Sequence, residues 1–310
     1  MFGFIDLLLS QPYNLFMTEH HSKMSSPSEE QSLPDPVSSD LSKRDWVVLI
    51  VAHGSPEEKG NIHFRQTFSM LSKMVPSEID LRQGFIEHAS PSVLDSIRDS
   101  SPRTAGIAMV PYLLFDAGHS KSDVPSYISE AKKLFPGLTV IREWALGTDQ
   151  VLVDVLLEII PPPEKDKKDH LVLVGRGSLD ANANASLYYQ ARRLWERRGG
   201  ADPQVTFIGV TEPRLSSVMS EMKTDFDRLI IVPVFLFEGV LMDRIRHQAS
   251  LFQEKTGYQG EVLVTPAFGD HPILLSHMAK RIKRLLHLGR TPMPRWPIVT
   301  AVYGSAGDNH

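Results

Sequence analysis

The strongest constraint on this chain is that it repeats itself. Trp46-Val47-Val48-Leu49-Ile50-Val51-Ala52 runs into His53-Gly54-Ser55, and His170-Leu171-Val172-Leu173-Val174-Gly175 runs into Arg176-Gly177-Ser178. Arg176 minus His53 is 123, as is Asn184 minus Asn61; Pro233 minus Pro111 is 122, and Asp270 minus Asp149 is 121. Glu212 and Glu87, separated by 125, are taken as a further matched pair. A near-constant offset kept from His53 to Asp149 marks an internal duplication. Each copy must therefore fold as one similar unit.

The units themselves read as α/β. A β-branched apolar run such as 45–52 suits a strand buried on both faces. Helical spacing follows at 61–74, then a strand at 81–86, a helix at 92–98, a strand at 105–114, a helix at 124–135, a strand at 139–144 and a helix at 150–160. Strands alternating with helices specify βαβ units and a small parallel sheet flanked by helices. The expected organisation is an arm at 1–44, a first domain at 45–160, a linker at 161–169, a second domain at 170–290 and a tail at 291–310. Each domain is expected to have its own core, with a cleft between them. The linker assignment rests on Pro161-Pro162-Pro163-Glu164-Lys165-Asp166-Lys167-Lys168, which neither a helix nor a central strand accepts.

Composition narrows the function. The 310 residues include no cysteine, which excludes a thiolate zinc site, a cysteine nucleophile, a disulfide framework and an iron–sulfur cluster held by this chain. Any metal must rest on nitrogen and oxygen. The net charge of −4 offers nucleic acid no general attraction, so none is expected as a partner. No apolar run reaches the roughly 18 residues that cross a bilayer, so a soluble, cytoplasmic protein without membrane contact is expected. Met1–Met17 lacks a basic start, carries Asp6 and is not read as a signal peptide. The Ser-, Pro- and Glu-rich stretch 20–43 is expected to stay disordered, and Met17 or Met24 is a candidate start.

In an open parallel sheet, ligands bind beyond the carboxyl ends of the strands. Three residues of the first copy fall there. His53 follows the first strand, Glu87 follows the second in Gly84-Phe85-Ile86-Glu87-His88, and His119 follows the third in Pro111-Tyr112-Leu113-Leu114-Phe115-Asp116-Ala117-Gly118-His119. Imidazole both ligates borderline metals and exchanges a proton near neutral pH. Each residue also has a plain reading: His53 as a turn cap, Glu87 as a solvated residue or part of the N-cap region near Ser92, His119 as a loop residue before Asp123 and Pro125, which are read as N-cap and first-turn positions of the next helix. His88 is a candidate partner behind the ligands or an ordinary surface residue. The duplication weighs between these readings. The second copy has Arg176 in place of His53 and Leu241 in place of His119, while the strands, glycines and prolines persist. Two imidazoles lost together point to a site, not to the scaffold.

Together, His-Gly-Ser at 53–55, Phe-Ile-Glu-His-Ala-Ser-Pro-Ser at 85–92 and Pro-Tyr-Leu-Leu-Phe-Asp-Ala-Gly-His at 111–119 resemble the sirohydrochlorin chelatases, class II tetrapyrrole chelatases, in their long two-domain CbiX form. The resemblance spans about 46–290. It implies two tandem chelatase-like domains, with the family's metal-handling histidines at His53 and His119 and its pocket glutamate at Glu87. The implied reaction inserts Co²⁺ or Fe²⁺, with Ni²⁺ also compatible, into sirohydrochlorin, for cobalamin or siroheme synthesis. The metal is then a substrate, and no organic cofactor is expected. The fused halves imply a monomer that mimics a dimer within one chain.

His53 and His119 are expected to hold the ion, and they or Glu87 to accept the pyrrole N–H protons; neutral imidazole is needed for both tasks, so activity is expected to fall as pH drops through the ordinary histidine range, about 6.5. The substrate's carboxylates call for cations, for which Arg176, Arg214, Arg244 and Arg246 are candidates, with Ser55 as a further substrate contact. The rival reading is a non-enzymatic divalent metal carrier using the same histidines. A hydrolase built on Ser55 and His53 is disfavoured, because adjacent turn residues seldom face each other and no Gly-x-Ser-x-Gly elbow is present. Gly175-Arg176-Gly177-Ser178 lacks the spacing of a phosphate-binding loop.

Overall fold

The computed structural model describes residues 46–100, 104, 106–115 and 118–290, giving the backbone alone for 118–124 and 288–290. The expected arm at 1–44 and tail at 291–310 lie outside the described residues. The first half holds β1 (Trp46–Ala52), α1 (Glu58–Ser72), β2 (Asp80–Phe85), α2 (Val93–Arg98), β3 (Gly106–Pro111), α3 (Gly118–Leu134), β4 (Thr139–Arg142) and α4 (Gln150–Ile159). The second holds β5 (Asp169–Gly175), α5 (Ala181–Arg198), β6 (Gln204–Phe207), α6 (Leu215–Glu221), β7 (Arg228–Pro233), α7 (Val240–Thr256), β8 (Glu261–Val264) and α8 (Pro272–Arg290).

Each half is a four-stranded parallel sheet, ordered β2-β1-β3-β4 in the first and β6-β5-β7-β8 in the second. β1 and β3 are buried at every residue, as their unbroken apolar sequence requires. The chain leaves β1 toward one edge and returns to β3 on the other side. The β1/β3 boundary is therefore the topological switch point, where the carboxyl ends of the strands open a crevice.

The cores are not separate. The outer sheet faces carry their own apolar clusters, one under α2 and α3 and one under α6 and α7. The inner faces are pooled: Phe64, Phe85, Tyr112 and Leu156 of the first half share one cluster with Leu187, Leu194, Phe268 and Ile282 of the second. α4 packs on α5 and α8, and α1 packs on α8. Expecting two independent cores underestimated the apolar inner stripe of α4, which has five buried residues among ten and needs a partner.

Buried polar groups tie this seam. The Tyr112 hydroxyl donates to the Gly269 carbonyl at 2.5 Å, and Gln190 Nε2 donates to the carbonyls of Gly147 and Asp149. His277 Nε2 lies 3.1 Å from Asp149 Oδ2, and His63 Nε2 lies 3.5 Å from Asp270 Oδ1. The two aspartates matched by the repeat thus each meet a histidine of the opposite half.

The proline run is held, not loose. Asp169, at the start of β5, accepts from Arg228 Nε at 2.7 Å and from Arg198 Nη2 at 2.8 Å. The same arginines donate to the carbonyls of Pro162 and Pro161, and Arg228 also pairs with Glu164.

Two helix starts differ from expectation. α1 begins at Glu58, three residues before Asn61. α3 begins at Gly118, so Asp123 and Pro125 lie inside the helix, not at its N-cap and first turn. Asp-Val-Pro imitates a capping signal within the helix, which drew the expected start past the true one. Among the described residues, no helix is long and apolar enough to cross a membrane.

Candidate functional site

The site is built by continuing the β1–β2 ladder past the strand ends. Ile86 N–H donates to Ala52 O and Glu87 N–H donates to His53 O, each at 2.9 Å. These bonds lock His53 and Glu87 at one height on the carboxyl rim. The chain then turns through Gly54 at φ +87°, where a Cβ would lie 1.8 Å from the Glu87 carbonyl oxygen. Only glycine fits there. Asn61, buried in α1, clamps the next residue: its Oδ1 accepts from Ser55 N–H and its Nδ2 donates to Ser55 O, each at 2.9 Å.

The side chains converge. His53 Nδ1 lies 3.3 Å from Glu87 Oε1 and 3.2 Å from the Gly54 carbonyl oxygen. Both neighbours are acceptors, which favours the neutral tautomer that carries its proton on Nδ1. Glu87 Oε1 also lies 3.2 Å from His88 Nε2. One carboxylate oxygen thus stands between two imidazoles, and His88 touches the cluster instead of pointing away from it. His88 adopts φ +63°, uncommon for a residue with a side chain. All three side chains are partly exposed, at 27%, 34% and 42% for His53, Glu87 and His88, while the His53 Nε2 atom itself is buried.

Glu87 does not cap α2. Ser92 does, through a capping box with Asp95. Ser55 Oγ accepts from Glu57 N–H at 3.2 Å, a turn role. His119 lies in the first turn of α3 and not in a loop, following β3 across the switch point from His53; its side chain lies outside the described residues. Among the described residues, no three His, Asp or Glu groups converge as a metal site.

The second half corrects one equivalence. Phe85 bridges to Ser92 and Phe207 bridges to Arg214; Ile86 N–H donates to Ala52 O and Ile208 N–H to Gly175 O. Position 87 therefore corresponds to Gly209, with 209 − 87 = 122, and the match of Glu87 to Glu212 fails. A glutamate identity had overridden the register, which backbone pairing decides. The correction sharpens the contrast. Arg176, Gly209, Val210 and Leu241 occupy the places of His53, Glu87, His88 and His119. The loop scaffold persists all the same, because Asn184 clamps Ser178 as Asn61 clamps Ser55.

The four candidate arginines separate. Arg246 is committed to Glu238 at 2.8 Å and Asp243 at 3.0 Å, and Glu238 is held below the ordinary carboxylate range, chiefly by that hydrogen bond. This removes it as a free carboxylate receptor. Arg214 Nε lies 3.2 Å from the exposed Glu212. Arg176 and Arg244 are exposed and have no ionic partner among the described residues.

Sequence reading missed the seam beside α1. His63, Glu238, Asp270 and His271 line a cavity of about 400 Å³ between the halves. His63 Nδ1 accepts from Glu238 N–H at 3.2 Å. The available signal was that His63 has Ser186 at offset 123, a difference of the same kind as His53 against Arg176.

Comparison with known proteins agrees with this duplication. The family model CbiX matches twice, over residues 47–161 and 170–285. A sirohydrochlorin cobaltochelatase of Priestia megaterium is 29% identical over 244 residues, covering 76% of this chain and 78% of that protein. A sirohydrochlorin ferrochelatase of the same organism is 29% identical over 243 residues, covering 77% and 90%. Two solved structures share the fold. The sirohydrochlorin chelatase SirB from Bacillus subtilis subspecies spizizenii in complex with cobalt has a TM-score of 0.64 at 22% identity, covering 78% of this chain and 96% of that one. SirB from Bacillus subtilis with Fe3+ has a TM-score of 0.66 at 22% identity, covering 78% and 95%.

Proposed function

Because this chain belongs to the CbiX family, we propose that it is a sirohydrochlorin chelatase, inserting Co²⁺ or Fe²⁺ into the tetrapyrrole. The observation that carries the reading is the contact of His53 with Glu87 at the carboxyl rim of one half, where the other half has Arg176 and Gly209. The 29% identical relatives bearing the names cobaltochelatase and ferrochelatase support it.

In this mechanism His53 Nε2 and His119 hold the incoming ion, and Glu87 fixes the tautomer and orientation of His53 from behind. A carboxylate behind a ligating imidazole raises its basicity. Insertion displaces the pyrrole N–H protons, and the imidazoles receive them as the metal transfers to the ring nitrogens. Arg176 offers its exposed guanidinium to a substrate carboxylate. The chain works as a cytoplasmic monomer in this reading, since the pooled inner core joins the pair of lobes within one chain.

The test is purified protein with sirohydrochlorin and each of Co²⁺, Fe²⁺ and Ni²⁺, followed by the absorbance change of the macrocycle. His53→Ala and His119→Ala should each abolish most of the rate. Wild-type rates in both would overturn the mechanism, and tight metal binding without macrocycle turnover would mark a metal carrier instead.

A further inference from the structure

The second half contains a cationic cavity that the family comparison does not assign. Arg214, Arg244, His247 and Gln248 line it together with Phe207, Ile208, Leu215 and Ser216, enclosing about 160 Å³. Among the described residues no acidic side chain lines it, and the exposed Glu212 reaches only Arg214 Nε, at 3.2 Å. Arg244, His247 and Gln248 are spaced i, i+3 and i+4 on α7, so they share one helix face. Arg214 closes the opposite wall at the start of α6. The floor is apolar, since Phe207 and Leu215 are buried.

The duplication shows that the fold does not need these cations. α3 and α7 are both 17 residues long and start 240 − 118 = 122 apart, so Arg244 and His247 stand where the first half has Ser122 and Pro125. Arg214 stands where it has Ser92. Arg244 and His247 have no ionic partner among the described residues, so nothing in the described structure accounts for their placement.

We propose that this cavity receives a carboxylate carried on a short aliphatic stem. The arginine fork suits a carboxylate, and the apolar floor suits methylene groups, which inorganic phosphate lacks. At about 160 Å³ the space admits such an arm but not a macrocycle, since sites that enclose a drug-sized ligand measure roughly 300–1,000 Å³. Two sources share this chemistry: a carboxyalkyl arm of the tetrapyrrole, which rests on the chelatase reading, and a free small dicarboxylate, which does not.

The experiment titrates the full chain with sodium succinate, and separately with inorganic phosphate, at constant ionic strength. It follows the His247 ring resonance by NMR, assigned by its absence in His247→Gln. Succinate should shift it saturably, at least about 10-fold more weakly in Arg214→Gln/Arg244→Gln. Phosphate should bind more weakly than succinate. No saturable shift, an undiminished shift in the double variant, or phosphate binding at least as tightly would overturn the proposal. Insertion kinetics then separate the sources: a KM for sirohydrochlorin raised several-fold in the double variant identifies the macrocycle's arm, and an unchanged KM identifies the free dicarboxylate. Should wild-type protein show no insertion, the chelatase reading fails while the succinate titration still decides the pocket. Arg244→Gln alone serves if the double variant does not fold.

Discussion

His53 Nδ1 lies 3.3 Å from Glu87 Oε1, and the same two residues are joined along the backbone by Glu87 N–H donating to His53 O at 2.9 Å. His53 follows β1 and Glu87 follows β2, so a continuous ladder sets their spacing before any side chain is considered. The carboxylate then chooses the imidazole tautomer. Glu87 thereby becomes an orienting group in the proposed mechanism, not a proton acceptor in its own right.

Glu87→Gln tests that assignment, since it keeps the shape and removes the charge. Metal affinity or insertion rate should fall about 10–100-fold, as for other carboxylates behind a ligating histidine. Cobalt titration and steady-state kinetics on the same preparation would check it. An unchanged affinity and rate would remove Glu87 from the site.

Gly54→Ala should destabilise the protein by about 1–3 kcal/mol, because φ +87° is strained for alanine and its Cβ would strike the Glu87 carbonyl. Insertion should fall with it, since the collision falls on the residue that orients His53. Thermal melting and activity measured together would show both losses.

Asn61→Ala and Asn184→Ala form a matched pair. Each removes two side-chain hydrogen bonds to its serine, worth about 1 kcal/mol apiece, so both should lose roughly 2 kcal/mol in a denaturant melt. Only Asn61→Ala releases the loop that carries His53. The maximal insertion rate should fall in that variant, whereas Asn184→Ala, which loosens the loop that carries Arg176, should raise KM for sirohydrochlorin and leave kcat near wild type.

Asp169 supplies a pH dependence of stability. Burial pushes its carboxyl up, but the hydrogen bonds and charges of Arg228 and Arg198 outweigh this and hold it below the ordinary value. A carboxyl lowered in the folded state stabilises fully above its unfolded pKa, near ~3.9, and that stability is lost as pH falls through the folded value. Asp169→Asn should cost about 3–5 kcal/mol near neutral pH, because it leaves two arginines facing each other without their shared carboxylate. The wild-type advantage should shrink in strong acid, as denaturant melts across pH would record.

The alternation of strands and helices, the duplication, and the positions of His53, Glu87 and His119 beyond strand ends were all legible in the residues. These are local patterns: a buried strand writes its burial into consecutive side chains, and a repeat writes itself into an offset. Corrections came where a non-local energy decides. Backbone pairing, not the shared letter, matched Glu87 to Gly209 and separated it from Glu212. The pooled inner core depends on α1 and α4 meeting α5 and α8, which no periodicity within one helix records. Arg246 proved committed to Glu238 and Asp243 while Arg244 faces an open cavity, although the two residues are nearly adjacent in the chain. Local propensity and burial pattern determine which elements form and where their ends fall to within a few residues. Which side chains then meet depends on how sheets and helices stack, and only the tertiary structure decides that.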